Sequence, residues 1–326
     1  MLVLSAAEVR ALLDLDELAE ALRVAMIELS AGRVSAPPRV AALVPEHDAM
    51  LAAMPAYLPS AGALASKLVS LFPGNRDQPT HQALICCFDP ATGTPAAVMD
   101  GGYLTAARTA GGSALATQLL ARPDAGDVTV VGTGVQAGAH ARALARLPGV
   151  RTVRIAGRDP ARAAALARSL DSLGVPVEDT GSIEDAVRAA DVVCTTTHAA
   201  DPVLRRDWLR PGTHINSVGY NTIGDGELDT ATIRDALVVV ESRAAALAPP
   251  PAGAVELRRA IERRAIDAGH VATEIGQVAA GTAAGRTDGG QLTVYKSVGV
   301  AAQDAAAAAL VLAAAQRQGV GTLVSL

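Results

Sequence analysis

Three cations stand where a charge is costly. Lys67 interrupts the apolar run Ala65-Ser66-Lys67-Leu68-Val69, Arg108 sits within Leu104-Thr105-Ala106-Ala107-Arg108-Thr109, and Arg39 follows Pro37-Pro38. A charge in apolar surroundings is unfavourable unless it is paired or faces a wet cleft. A forked guanidinium can grip both oxygens of a carboxylate. A lysine ammonium is a point donor whose pKa falls on burial, so it can also pass a proton. For each cation the competing reading is a solvent-facing charge on a buried stem. Context favours that reading for Arg39 and leaves Lys67 and Arg108 open.

A second constellation is the turn Gly132-Thr133-Gly134-Val135-Gln136-Ala137, which follows the apolar run 128–131 and opens a helical pattern at 137–147. This is the glycine fingerprint of a dinucleotide site with alanine at its third position. The first glycine turns the chain off the strand, and the second lets backbone approach a pyrophosphate. The small third residue brings helix and strand together, and the helix N-terminus then faces the phosphates. The second strand, 153–156, is followed by Gly157-Arg158-Asp159. An acidic residue there suits the ribose hydroxyls of NAD, and an arginine suits the 2′-phosphate of NADP. Arg158 comes first, so NADP(H) is the expected cofactor and NAD(H) the alternative. Asp159 either serves NAD or, with Pro160, only starts the next helix.

The elements that carry these residues fall into two textures. Residues 1–120 mix helix and strand. A helical pattern covers 8–29, with Ser5 and Glu8 in capping-box spacing. Strands are expected at 64–71 and 83–88, the turn Asp89-Pro-Ala-Thr-Gly-Thr-Pro95 implies a hairpin, and a helix covers 104–121. From Asp127 onward, strands at 128–131, 153–156, 175–177, 192–196, 213–217 and 236–240 are interleaved with helices, among them 160–173 and one opened by Ser182. That alternation predicts parallel βαβ units in a doubly wound sheet. A final helix covers 299–318.

Composition narrows the class. The 326 residues leave room for two domains. Half of them are hydrophobic and 2% are aromatic, so aliphatics and alanine fill the core. A net charge of −5 with no basic block argues against nucleic acid as partner. Cys86, Cys87 and Cys194 fit no metal spacing and point to reduced thiols in the cytoplasm. No signal-peptide start and no membrane-length apolar run is read in the sequence.

The chain resembles the ornithine cyclodeaminase/mu-crystallin family over nearly its whole length. The segments that carry the resemblance are Met54-Pro-Ala-Tyr-Leu58, Lys67-Leu-Val-Ser-Leu-Phe-Pro-Gly-Asn75, Thr80-His-Gln82, Val98-Met-Asp-Gly101, Leu104-Thr-Ala-Ala-Arg-Thr-Ala110, the glycine turn, Gly219 to Asp229, and Val294-Tyr-Lys-Ser-Val-Gly299. The resemblance implies a homodimer with a Rossmann NAD(P)-binding domain at 121–299. It also implies an α+β substrate and dimerisation domain built from 1–120 and 300–326, with the last helix packed back on the first domain. It implies that Arg39, Lys67, Arg108 and Gly299 gather around a substrate carboxylate, with His81 near the ligand. Thr109, the turn from Gly132 to Ala137, Thr195, Thr196, Thr197, Ser217, Val218, Gly219, Lys296 and Ser297 are implied on the cofactor side.

One departure redirects the chemistry. Cyclodeaminases of this family carry an aspartate where this chain has Asn221, and an amide is no general base near neutral pH. The expected activity is therefore NAD(P)H-dependent reduction of a small carboxylate-bearing imine to an amino acid, reversible as a dehydrogenase. Lys67 is the candidate proton donor, His81 the second candidate, and Asn221 a possible orienting group. The alternatives are ornithine cyclodeamination with catalytic NAD, and a non-catalytic ligand-binding protein.

Overall fold

A computed structural model describes residues 1–219 and 224–325. The chain divides into two compact units, Met1–Arg108 with Gly299–Leu326, and Thr109–Val298. The first unit runs through β1 (Leu2–Leu4), α1 (Ala6–Leu12), α2 (Leu15–Ser30), β2 (Val40–Val44), β3 (Ala49–Leu58), β4 (Ala63–Leu71), β5 (His81–Phe88) and β6 (Pro95–Asp100). Helix α3 (Gly102–Leu120) follows, and the division falls inside it, after Arg108. The second unit comprises β7 (Asp127–Val131), α4 (Val135–Ala145), β8 (Thr152–Ala156), α5 (Pro160–Arg168), β9 (Val177–Thr180), α6 (Ile183–Arg188), β10 (Val192–Thr195) and β11 (His214–Ser217). It continues with α7 (Thr230–Asp235), β12 (Leu237–Val240), α8 (Arg243–Ala246), α9 (Val255–Glu262), β13 (Thr273–Glu274), α10 (Ile275–Ala279) and β14 (Thr293–Lys296). Helix α11 (Ala301–Gln318) and β15 (Thr322–Leu323) complete the first unit.

In the first unit one mixed sheet has the order β15-β1-β6-β5-β4-β3-β2. The four pairings from β6 out to the edge strand β2 are antiparallel. The expected hairpin across Asp89–Thr94 joins β5 and β6. The helix expected at 8–29 is two helices. Ser5 and Glu8 close a capping box on the first, and Asp14 caps the second through the N–H groups of Asp16 and Glu17. A capping carboxylate starts a new helix even where the apolar period runs on. Strands β2 and β3 escape the sequence reading because alanine, which has little strand preference, occupies much of them. Side chains alternate strictly along β4: Ala63, Ala65, Lys67 and Val69 are buried, and α11 covers that inner face.

The second unit is the expected doubly wound α/β domain. Its eight strands are parallel, in the order β13-β12-β14-β11-β10-β7-β8-β9. Val128 and Val130 pack into one apolar cluster and Val131 into another, and Cys194 and Val193 divide the same way. Both sheet faces are therefore covered, as parallel sheets require. The third strand begins at Val177, later than the expected 175–177, because Pro176 has no N–H for the ladder. The helix expected at 160–173 ends at Arg168. Among the described residues no helix is long and apolar enough to cross a membrane.

Candidate functional site

The first unit gathers its buried cations on one carboxylate. Strand alternation turns Lys67 inward, where its side chain is 2% exposed. Its ammonium lies 2.8 Å from Asp304 Oδ2, as an ion pair without the alignment of a directed hydrogen bond. Arg108 Nε donates to Asp304 Oδ1 at 2.9 Å, and Arg108 Nη1 donates to Gln303 Oε1 at 2.9 Å. Arg39 Nη2 donates to the carbonyl of Gly299 at 3.0 Å. Gly299 has φ +73°, and a Cβ there would lie 3.0 Å from both Arg108 Nη atoms, so the guanidinium needs glycine at this position. The structure thus brings together Arg39, Lys67, Arg108 and Gly299. Arg108 does not present the open fork that the sequence suggests, since Nε and Nη1 are committed within the protein.

Charge in this cluster is strongly perturbed. Burial, with Arg108 beside it, pushes the Lys67 ammonium down to about 8 despite Asp304. Burial also raises the Asp304 carboxyl, but Arg108 and Lys67 outweigh it and hold the group below its usual range. His81, at the start of β5, is pushed down to about 4 by burial and then by Lys67 and Arg108, so it is neutral at pH 7. Lysine is scarce: the chain's 28 lysine and arginine residues include two lysines, Lys67 and Lys296, and both are buried.

In the second unit the glycine turn has the shape the fingerprint demands. Gly132 adopts φ +132°, and a Cβ would collide with Thr196 Oγ1. Gly134 caps α4 with no side-chain hydrogen bond, and a Cβ on it would meet nothing within 4 Å. Val135, the first helical residue, is 78% exposed, while Ala137 is fully buried. The start of α4 therefore offers N–H donors without a side-chain cap among the described residues, beside an open space and a bare apolar side chain. These features fit a dinucleotide pyrophosphate. At the tip of β8, Asp159 Oδ1 accepts from the N–H groups of Ala161 and Arg162, so it caps α5. Arg158 beside it is exposed.

The tips of the neighbouring strands are locked by buried charges. Thr195 Oγ1 donates to Glu227 Oε2 at 2.7 Å, Thr197 donates to Oε1 through both N–H and Oγ1, and Gly219 N donates to Oε2 at 2.8 Å. Burial raises the Glu227 carboxyl, while Lys296 and the threonine donors pull it down. Lys296 Nζ donates to Ser217 Oγ, Gly219 O and Glu256 Oε1 at 3.0–3.2 Å. Thr196 Oγ1 donates to Val131 O, Val218 N to Thr195 O, and Ser297 Oγ to Glu241. The Gly219 peptide is thus held at its N–H by Glu227 and at its C=O by Lys296. Thr109 is buried on α3. Asn221 lies outside the described residues. His140 and His214 are fully buried, and burial pushes them down to about 4 and about 3.

Four of these participants escape sequence reasoning: Gln303, Asp304, Glu227 and Glu256. The first two leave a signal, a polar pair at the start of the alanine-rich run 301–315. The two glutamates leave none, because most of their partners lie 29 to 40 residues away in the chain.

The architecture defines a Rossmann-type α/β domain carried in one chain with an α+β unit that buries a cation cluster. The profile of the ornithine cyclodeaminase/mu-crystallin family matches residues 1–319, and the chain belongs to that family. It is 37% identical over 282 residues to the ketimine reductase mu-crystallin of Mus musculus, covering 86% of this chain and 85% of the relative. It superposes on the Δ1-pyrroline-2-carboxylate reductase of Thermococcus litoralis, solved with NADH and L-proline, at a TM-score of 0.94. That pair is 34% identical, with 99% of this chain and 100% of the other covered. An archaeal alanine dehydrogenase dimer with bound NAD gives a TM-score of 0.90 at 32% identity, covering 100% of this chain and 99% of the other.

Proposed function

We propose that the protein is an NAD(P)H-dependent oxidoreductase of C–N bonds that reduces a small carboxylate-bearing imine, such as pyrroline-2-carboxylate, to an L-amino acid and runs in reverse as a dehydrogenase. The observation that carries this reading is the buried cluster in which Lys67 and Arg108 share Asp304. Arg108 and Arg39 balance the charge of the α-carboxylate. Lys67, with its pKa near 8, holds a proton at pH 7 and passes it to the imine nitrogen. His81 is neutral at that pH and has no imidazolium proton to offer. A bound nicotinamide dinucleotide supplies the hydride that the imine carbon receives. Gly132, Gly134 and the start of α4 hold its pyrophosphate, and the Thr195–Thr197 and Ser217–Gly219 tips face its nicotinamide end. Reduction in this direction needs no carboxylate base, which agrees with Asn221 where cyclodeaminases of the family carry aspartate.

NADPH is the preferred cofactor. Asp159 is spent as a helix cap, and the exposed Arg158 remains for a 2′-phosphate. The first unit serves as the substrate and dimerisation domain, the second as the NAD(P) domain. The dimer forms through the outer face of the first unit's sheet. Val3, Val40, Leu51, Tyr57, Leu68 and Leu84 are 37–67% exposed there, and strand registry places them on one side. An apolar sheet face of that extent marks an interface, and a second copy of this chain fits it; the archaeal alanine dehydrogenase relative is a dimer.

The test is absorbance at 340 nm with NADPH or NADH and a panel of Δ1-pyrroline-2-carboxylate, Δ1-piperideine-2-carboxylate, and 2-oxo acids with ammonia or methylamine. Oxidation of the nucleotide with one of these imines is expected. No loss with any of them refutes the reading, and proline formed from ornithine without added reductant replaces it with cyclodeamination.

A further inference from the structure

Gln303 is fully buried in the first turn of α11, and its amide is half used. Arg108 Nη1 donates to Oε1 at 2.9 Å. A guanidinium has donors only, so this contact fixes which end of the amide is oxygen. The other end, Nε2, is buried and has no hydrogen-bond partner among the described residues. An unsatisfied buried donor is unfavourable, and a bound ligand is one way to complete it. Nε2 is bonded to the same carbon as Oε1, which Arg108 Nη1 contacts, so this donor stands beside the guanidinium that draws an anion. The same end of the helix favours an anion. Its N-cap, Val300, offers no side-chain cap, and 18 residues of aligned peptides stand behind it.

We infer that Gln303 is a ligand-binding residue whose Nε2 donates to an oxygen of the substrate carboxylate attracted by Arg108 and Lys67. The inference rests on the proposed carboxylate-bearing substrate and adds a donor that places one oxygen of it. Arg108 has committed Nε and Nη1 within the protein, so the carboxylate is held by donors from several residues in place of one bidentate fork. Gln303 then does two things with one amide. It fixes the guanidinium through its oxygen and reads the ligand through its nitrogen.

The experiment uses the full chain with [15N]glutamine side chains and pyrrole-2-carboxylate, a planar analogue that cannot be reduced at its ring carbon. The Nε2 resonance of Gln303 is assigned by its loss in Gln303→Glu. On addition of the analogue, a downfield shift of one of its amide protons is expected. Gln303→Glu keeps an acceptor for Arg108 but removes the donor, and should raise KM for the imine about ten-fold or more while leaving the Kd for NADPH unchanged. Gln303→Met, which also frees Arg108, should raise KM further. If the wild-type protein turns over an imine, or binds the analogue, and the Gln303 amide does not move, the inference is overturned and the function stands. If no imine is reduced and the analogue does not bind, the function itself fails and the inference falls with it.

Discussion

Replacing Asp304 by asparagine separates the charge of the cluster from its shape. The amide is nearly isosteric and still offers an oxygen to Arg108 Nε, but it withdraws the anion that Lys67 faces at 2.8 Å. The groups around Lys67 are Asp304, which favours its charged form, and Arg108 and Arg39, which oppose it, with His81 neutral nearby. An opposite charge at contact distance is worth roughly 1–3 pKa units. With Lys67 near 8, about nine-tenths of it is protonated at pH 7. A fall of about two units leaves about one-tenth protonated, so kcat/KM for imine reduction at pH 7 should drop about ten-fold. The sign is fixed by the direction of the shift. In the wild-type protein the rate of reduction should fall as pH rises through about 8. In Asp304→Asn the same descent moves to lower pH, and activity recovers on acidification. A merely damaged fold would not recover. The scarcity of lysine makes the titration directly visible, because [13C,15N]lysine labelling yields two side-chain signals, Lys67 and Lys296, and Lys67→Arg assigns them. Superimposable pH profiles in wild type and Asp304→Asn, with an unmoved Lys67 titration, would refute this reasoning.

Gly134→Ala should fold like the parent, since its Cβ enters open space, yet weaken NADPH binding by isothermal titration calorimetry. Gly132→Ala should instead lower stability by about 1–3 kcal/mol from its backbone alone, with the Thr196 clash added, read by urea denaturation. Arg158→Ala should raise the Kd for NADPH about ten-fold and leave that for NADH unchanged, as expected for one charge-assisted contact of roughly 1.5–3 kcal/mol. Light scattering should show the proposed dimer for the parent and a monomer for Leu68→Glu with Leu84→Glu, because two charges per chain enter the apolar sheet face.

Local chemistry was sufficient for part of this protein. Gly132, Gly134 and Ala137 announce a strand–turn–helix because each glycine answers a backbone demand confined to a few residues. The βαβ rhythm after Asp127 follows from side-chain period in the same way. Ser5 and Glu8 cap their helix as their spacing says. The break at Asp14 was also written locally, but the apolar period masked it. Lys67 and Arg108 were visible as misplaced charges, and the sequence left open whether either was functional.

The tertiary structure decided what those charges meet. Asp304 lies 237 positions from Lys67 in the chain and on a different element, and only packing of α11 against β4 joins them. That packing buries Lys67, so that desolvation and Arg108 lower its proton affinity while Asp304 holds part of it back; it also closes two donors of Arg108 and leaves one amide donor of Gln303 without a partner among the described residues. Lys296 reaches the Gly219 carbonyl by the same kind of long-range contact, across 77 positions of the chain. Spacing along the chain sets which face a residue takes within its own element. Which charge it faces across the fold, and so what state of protonation it keeps, depends on elements brought together only when the sheet and its covering helix assemble.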